Sequence, residues 1–198
     1  MSSNLILVTG PVRSGKSRFA ERLAGEAAVG VTYVATAAAD ANDSEWSARL
    51  EHHRRRRPQH WNVVETASGS NIDLYEVLKN PPDNGVLLVD SLGTWLADRM
   101  SGAHPELLDQ PSALETAAEH DCALLVRALL ASPAKLIVVV GEETGWGIVP
   151  EHRSGRIFRD VLGRLQQEVA AHAERAYLTI DGIAIDLRAI GEPVARTP

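Results

Sequence analysis

Short, unbroken apolar runs alternate along this chain with stretches of helical periodicity. Residues 5–8 (LILV), 31–35 (VTYVA), 86–90 (VLLVD) and 135–140 (KLIVVV, stopped at Gly141) read as strands buried on both faces, the pattern of a parallel sheet. Residues 61–65 (WNVVE) read as a further strand. A helix is predicted over 16–28, with Phe19, Ala20, Leu23, Ala24 and Ala27 on one face. Another is predicted over 44–57, with Ser44 as N-cap and Pro58 as its stop. Further helices are expected over 72–79, 92–100, 113–131 and 154–173, the last carrying Phe158, Val161, Leu162, Leu165 and Val169 at helical spacing. Residues 101–112, with two prolines, read as loop. Asp181-Gly182 between apolar runs at 176–180 and 183–187 is a hairpin signal. The repeated β-α-β order predicts one doubly wound α/β domain over residues 1–198, with right-handed crossovers. Its sheet should be mostly parallel, with the C-terminal hairpin as an antiparallel edge.

Composition narrows the function classes. At 198 residues, 44% hydrophobic and 23% charged, the chain has enough apolar surface to offset the entropy of ordering, which excludes a disordered protein. Twenty basic against 26 acidic residues give a net charge of −6, which argues against a nucleic-acid binder outside the local run Arg54-Arg55-Arg56-Arg57. The single cysteine, Cys122, excludes an internal disulfide framework and a paired-cysteine metal knot. No run of eighteen apolar residues is present to insert stably in a membrane, and the run at 5–8 is too short for a signal-peptide core. A cytoplasmic location is expected.

The strongest local signal is Gly10-Pro11-Val12-Arg13-Ser14-Gly15-Lys16-Ser17, which matches the G-x-x-x-x-G-K-[ST] phosphate loop and lies between a buried strand and a helix. Its backbone N–H groups are expected to cradle phosphates, Lys16 to reach the β- and γ-phosphates, and Ser17 to hold Mg²⁺. Pro11 removes one N–H from that cradle. Asp90, at the carboxyl end of the 86–90 strand, is the candidate acid for the metal shell, and the competing reading makes it the cap of the next helix. These residues read as a P-loop enzyme using Mg²⁺ and a nucleotide, and they leave the acceptor open.

Glu51-His52-His53-Arg54-Arg55-Arg56-Arg57 is the second feature. Adjacent histidines point about 100° apart on a helix and cannot readily share a metal ion. On helical spacing Trp46, Leu50 and His53 share a stripe, flanked by the arginines, whereas His52 falls on an adjacent face with Glu45, Ala48 and Arg49. Arginines near an imidazole favour its neutral form, and they would offset charge on a phosphorus under attack. A solvated basic face carrying a surface histidine stands as the alternative.

Four segments together resemble the bifunctional adenosylcobinamide kinase/adenosylcobinamide-phosphate guanylyltransferase family. They are the phosphate loop continuing through Arg18 to Ala20-Glu21; Tyr33-Val34-Ala35-Thr36; Ala48 to His53 with Arg57-Pro58, His60-Trp61 and Glu65; and Gly147-Ile148-Val149-Pro150-Glu151 with Arg153, Phe158-Arg159-Asp160 and Gly163. The resemblance spans nearly the whole chain. It implies two reactions in one nucleotide site: phosphorylation of adenosylcobinamide by ATP or GTP, then transfer of GMP from GTP through a histidine to adenosylcobinamide phosphate. It assigns the guanylylated residue to the His-His pair, here His53 with His52 in reserve. It places Thr36, Ala37, Ala38, Arg54, Arg55, Arg56, Arg57 and Glu65 around the guanine nucleotide, and it implies a homo-oligomer, a trimer among the forms open. Three departures stand out, the first being Pro11 where a second glycine is common. Asp90 takes a place where the family often has glutamate, and Gly141-Glu142-Glu143 replaces a stretch where asparagine before glutamate is expected. A P-loop kinase of small molecules or nucleoside monophosphates without a covalent step, and a nucleotide-dependent switch, are the rival readings.

Overall fold

The computed structural model describes residues 4–27, 30–37, 47, 48, 51, 54, 55 and 57–194. The apolar runs form strands β1 (Leu5–Gly10), β2 (Val31–Ala35), β3 (Asn62–Glu65), β4 (Val86–Asp90), β5 (Leu136–Glu142), β6 (Arg175–Ile180) and β7 (Ile183–Asp186). They make one sheet in the order β3-β2-β4-β5-β1-β6-β7. Every neighbouring pair is parallel except β6 with β7. The expected α/β architecture with an antiparallel hairpin edge is therefore present.

Strand alternation sends side chains to two cores. Leu87 and Val89 of β4 join the larger one, with helices α2 (Leu74–Lys79), α3 (Leu92–Asp98), α4 (Pro111–Ala131) and α5 (Arg153–His172). Val86 and Leu88 face the other way, with Tyr33, Val138, Val140 and Ala20 and Ala24 of α1 (Lys16–Gly25). Asp90 shares the parity of Leu88, so its carboxylate lies on the α1 side of the sheet.

Several boundaries differ from the sequence reading. β5 does not stop before Gly141: Gly141 and Glu142 pair with Thr9 and Gly10 of β1, because the parallel ladder continues to the phosphate loop. Residues 99–103 and 105–107, expected as helix end and loop, form a π-turn and a 3₁₀ turn, and α4 starts at Pro111, where a missing N–H costs nothing. A short helix α6 (Leu187–Ile190) follows the hairpin, its first turn capped by the Asp186 carboxylate. The predicted 44–57 helix lies largely outside the described residues; 47, 48, 51, 54 and 55 are helical.

The π-turn is tied to α4 by a buried carboxylate. Asp121 accepts from Arg99 Nε at 2.8 Å and meets His104 Nε2 at 3.0 Å. Burial raises the Asp121 pKa, but the hydrogen bonds from Arg99 and His104 outweigh it and hold the group below its ordinary range. A depressed folded-state pKa contributes stability that is complete above the unfolded value, about 3.9, and is lost as pH falls through the folded one. Urea midpoints measured from neutral pH downward should therefore fall below about pH 4. Asp121→Asn should flatten that acid limb and cost about 1–3 kcal/mol at neutral pH. An unchanged acid limb would show that the pairing contributes nothing.

Candidate nucleotide site

The loop between β1 and α1 is shaped by two glycines. A Cβ on Gly10 would lie 2.5 Å from Ser14 Oγ and from both Thr179 O and Thr179 Oγ1, so only glycine fits where β1 meets the loop and β6. Gly15 has φ +94°, a left-handed conformation open to glycine. Arg13, at φ 60°, takes the same region without being glycine. The hairpin braces the loop: Ser14 Oγ lies 2.9 Å from Thr179 Oγ1, and the Gly182 N–H donates to the Ser14 carbonyl at 3.0 Å. Phe19 N–H makes the first bond back to Gly15, at 2.9 Å, so the N–H groups of Lys16, Ser17 and Arg18 have no partner within their helix. Together with the helix dipole they suit an anion. Pro11 and Val12 form the outer turn, with Val12 exposed.

Across the crevice, Ser17 Oγ donates to Asp90 Oδ1 at 3.4 Å, and the Tyr33 hydroxyl donates to Asp90 Oδ2 at 2.5 Å. Asp90 is not the cap of α3. That role belongs to Ser91, in a reciprocal capping box with Thr94. A hydroxyl and a carboxylate facing each other are hard oxygen donors of the kind Mg²⁺ selects. Glu142 fills the gap between Gly10 and Asp90: it bonds the Ser91 hydroxyl and accepts from the Gly93 N–H at 2.9 Å. Burial pushes its carboxyl above the ordinary range; the Asp90 charge adds to this, while Ser91, Lys16 and Gly93 oppose it.

The basic segment reaches the same crevice at its C-terminal end. The Arg57 guanidinium stacks 3.7 Å from the centroid of the Tyr33 ring. Arg54 pairs with Glu65 at 2.6 Å, and Arg55 with Glu51 at 2.8 Å one helical turn away. Glu65 ends β3, in register with Ala35, so it stands on the same sheet edge as Thr36 and Ala37. Thr36 is buried and its hydroxyl is engaged by Ser91 and Thr94. His52, His53, Arg56 and Ala38 lie outside the described residues.

Tyr33, Ser91, Thr94, Glu142 and Thr179 belong to the site and were given no role from sequence. Tyr33 was legible only as part of the second family-like segment. Glu142 was legible as a carboxylate two residues past the expected end of β5.

A family model described as cobinamide kinase / cobinamide phosphate guanyltransferase matches residues 6–187. The bifunctional adenosylcobalamin biosynthesis protein CobU of Salmonella typhimurium is 39% identical over 187 residues, covering 93% of this chain and 99% of the relative. The protein of that name from Escherichia coli is 40% identical over 188 residues, with 93% and 99% covered. The bifunctional adenosylcobalamin biosynthesis protein CobP of Pseudomonas aeruginosa is 38% identical over 189 residues, with 95% and 98% covered.

Proposed function

The chain belongs to the cobinamide kinase / cobinamide phosphate guanyltransferase family, and from that premise we propose that one crevice serves two successive transfers to the same acceptor. The chain phosphorylates cobinamide and then guanylylates the cobinamide phosphate. The observation that carries the single-crevice reading is the chain of contacts Ser17–Asp90–Tyr33–Arg57, which brings the end of the basic segment to the acid that faces the phosphate loop.

In the first transfer, the terminal hydroxyl of adenosylcobinamide attacks the γ-phosphorus of ATP or GTP, and the nucleoside diphosphate leaves. Lys16 and the N–H groups opening α1 neutralise the charge on the phosphate oxygens. Ser17 and Asp90 are the residues to hold Mg²⁺, which when bound supplies further charge neutralisation to the triphosphate. In the second, the imidazole of His53 attacks the α-phosphorus of GTP and pyrophosphate leaves. A phosphate oxygen of adenosylcobinamide phosphate then attacks that phosphorus and displaces the histidine, giving adenosylcobinamide-GDP. The two-step route divides one difficult transfer into two easier ones. Arg54 to Arg57 offset the phosphate charge, and Glu65, held by Arg54, accepts from the guanine N1–H and amino group.

Labelled GTP tests this reading. Label on the α-phosphorus should become bound to the protein in an acid-labile, alkali-stable form, and γ-label should pass to the acceptor. Phosphorylated acceptor with no protein-bound α-label would instead indicate a kinase without the covalent step.

A further inference from the structure

Tyr33 is almost fully buried in the middle of a sheet, yet its hydroxyl points at a charged group in the crevice. Tyr33 pairs with Leu88 in the β2–β4 ladder, and Asp90 lies two residues further along β4 on the same face. That diagonal is within reach of a tyrosine side chain and beyond that of most others. The phenol binds Asp90 Oδ2 at 2.5 Å, on the carboxylate oxygen opposite the one that meets Ser17. Arg57 stacks on its outer face at 3.7 Å and closes it from solvent. A cation on the ring draws electron density from the phenol and makes its O–H a stronger donor.

We propose that Tyr33 is a positioning residue of the nucleotide–metal site: its hydroxyl holds the outer oxygen of Asp90, so that the inner oxygen stays turned toward Ser17 and the bound cation. Arg57 clamps Tyr33 in that pose. Tyr33 acts through Asp90 and touches neither nucleotide nor cation. Outer-shell partners of a ligating carboxylate fix its orientation, and their loss costs about 10–100-fold in metal affinity or activity. The inference rests on the assignment of Asp90 to Mg²⁺ made above.

Tyr33→Phe tests it, because the ring packing and the arginine stack remain while one O–H is lost. The readout is equilibrium binding of a fluorescent GTP analogue, measured with Mg²⁺ and again with EDTA. The variant should bind about tenfold more weakly than the parent in Mg²⁺ and equally well in EDTA. In an Asp90→Asn background, which loses the Mg²⁺ gain itself, Tyr33→Phe should cost nothing more, as expected for two groups acting through one another. Equal weakening in both conditions would make Tyr33 a scaffold only and overturn the inference, as would losses that add to those of Asp90→Asn. If Asp90→Asn loses the Mg²⁺ gain and Tyr33→Phe keeps it, the inference falls and the metal assignment stands. If Asp90→Asn keeps the full gain, both fall.

Discussion

Lys16→Ala is expected to suppress both transfers at once, each by on the order of 10²–10³-fold in rate. Lys16 is the first residue of α1, placed there by the left-handed turn at Gly15, and its ammonium lies close enough to Glu142 to oppose the rise of that carboxyl's pKa. The two reactions break different bonds of a triphosphate, at the γ- and the α-phosphorus, but both require the polyphosphate to be held. If a single cradle holds it, the kinase rate with adenosylcobinamide and the protein-bound α-label should fall together. Circular dichroism should be unchanged, because the lysine is partly exposed and belongs to neither core. Undiminished guanylylation alongside a lost kinase would show that GTP for the second transfer is held elsewhere.

His53→Ala is expected to separate the activities. On the proposed histidine route, removing the imidazole leaves no nucleophile for the α-phosphorus, so the protein-bound label should disappear and formation of adenosylcobinamide-GDP should drop by on the order of 10⁴-fold or more. Phosphorylation of adenosylcobinamide should persist, since its nucleophile is the substrate's own hydroxyl. Arg57 lies four residues after His53 and is anchored on Tyr33, which fixes the downstream end of the histidine-bearing segment against the crevice. Labelling that survives in His53→Ala and vanishes in His52→Ala would transfer the role to His52. Labelling that survives both changes would remove the histidine route.

Much of this site could be read along the chain because its parts are local. The phosphate loop needs a strand, a turn and a helix in succession, here residues 5–25, and each leaves a signal: an apolar run, two glycines, then periodicity. Asp90 could be found because a carboxylate ending a buried strand has few roles other than capping or ligand binding. The capping role went to Ser91, whose side chain lies closer to the first turn of α3. The end of β5 could not be read, since Gly141 has the composition of a stop, and only its pairing with Thr9 keeps the strand going.

The sequence alone determined the seven strands apart from the end of β5, the helices α1 to α5 apart from their ends, the phosphate loop and the family, because each rests on neighbours in the chain or on residue types in a set order. The tertiary structure decided who meets whom across the crevice. The order β2-β4-β5-β1-β6 puts Tyr33 beside Asp90, sets Glu142 between Asp90 and Gly10, and swings Thr179 under Ser14, 165 residues away. No local pattern encodes these contacts, because strand order follows from how the two helical layers cover the faces of the sheet. Burial then selects hydrogen-bonded partners for the polar groups left at its carboxyl edge.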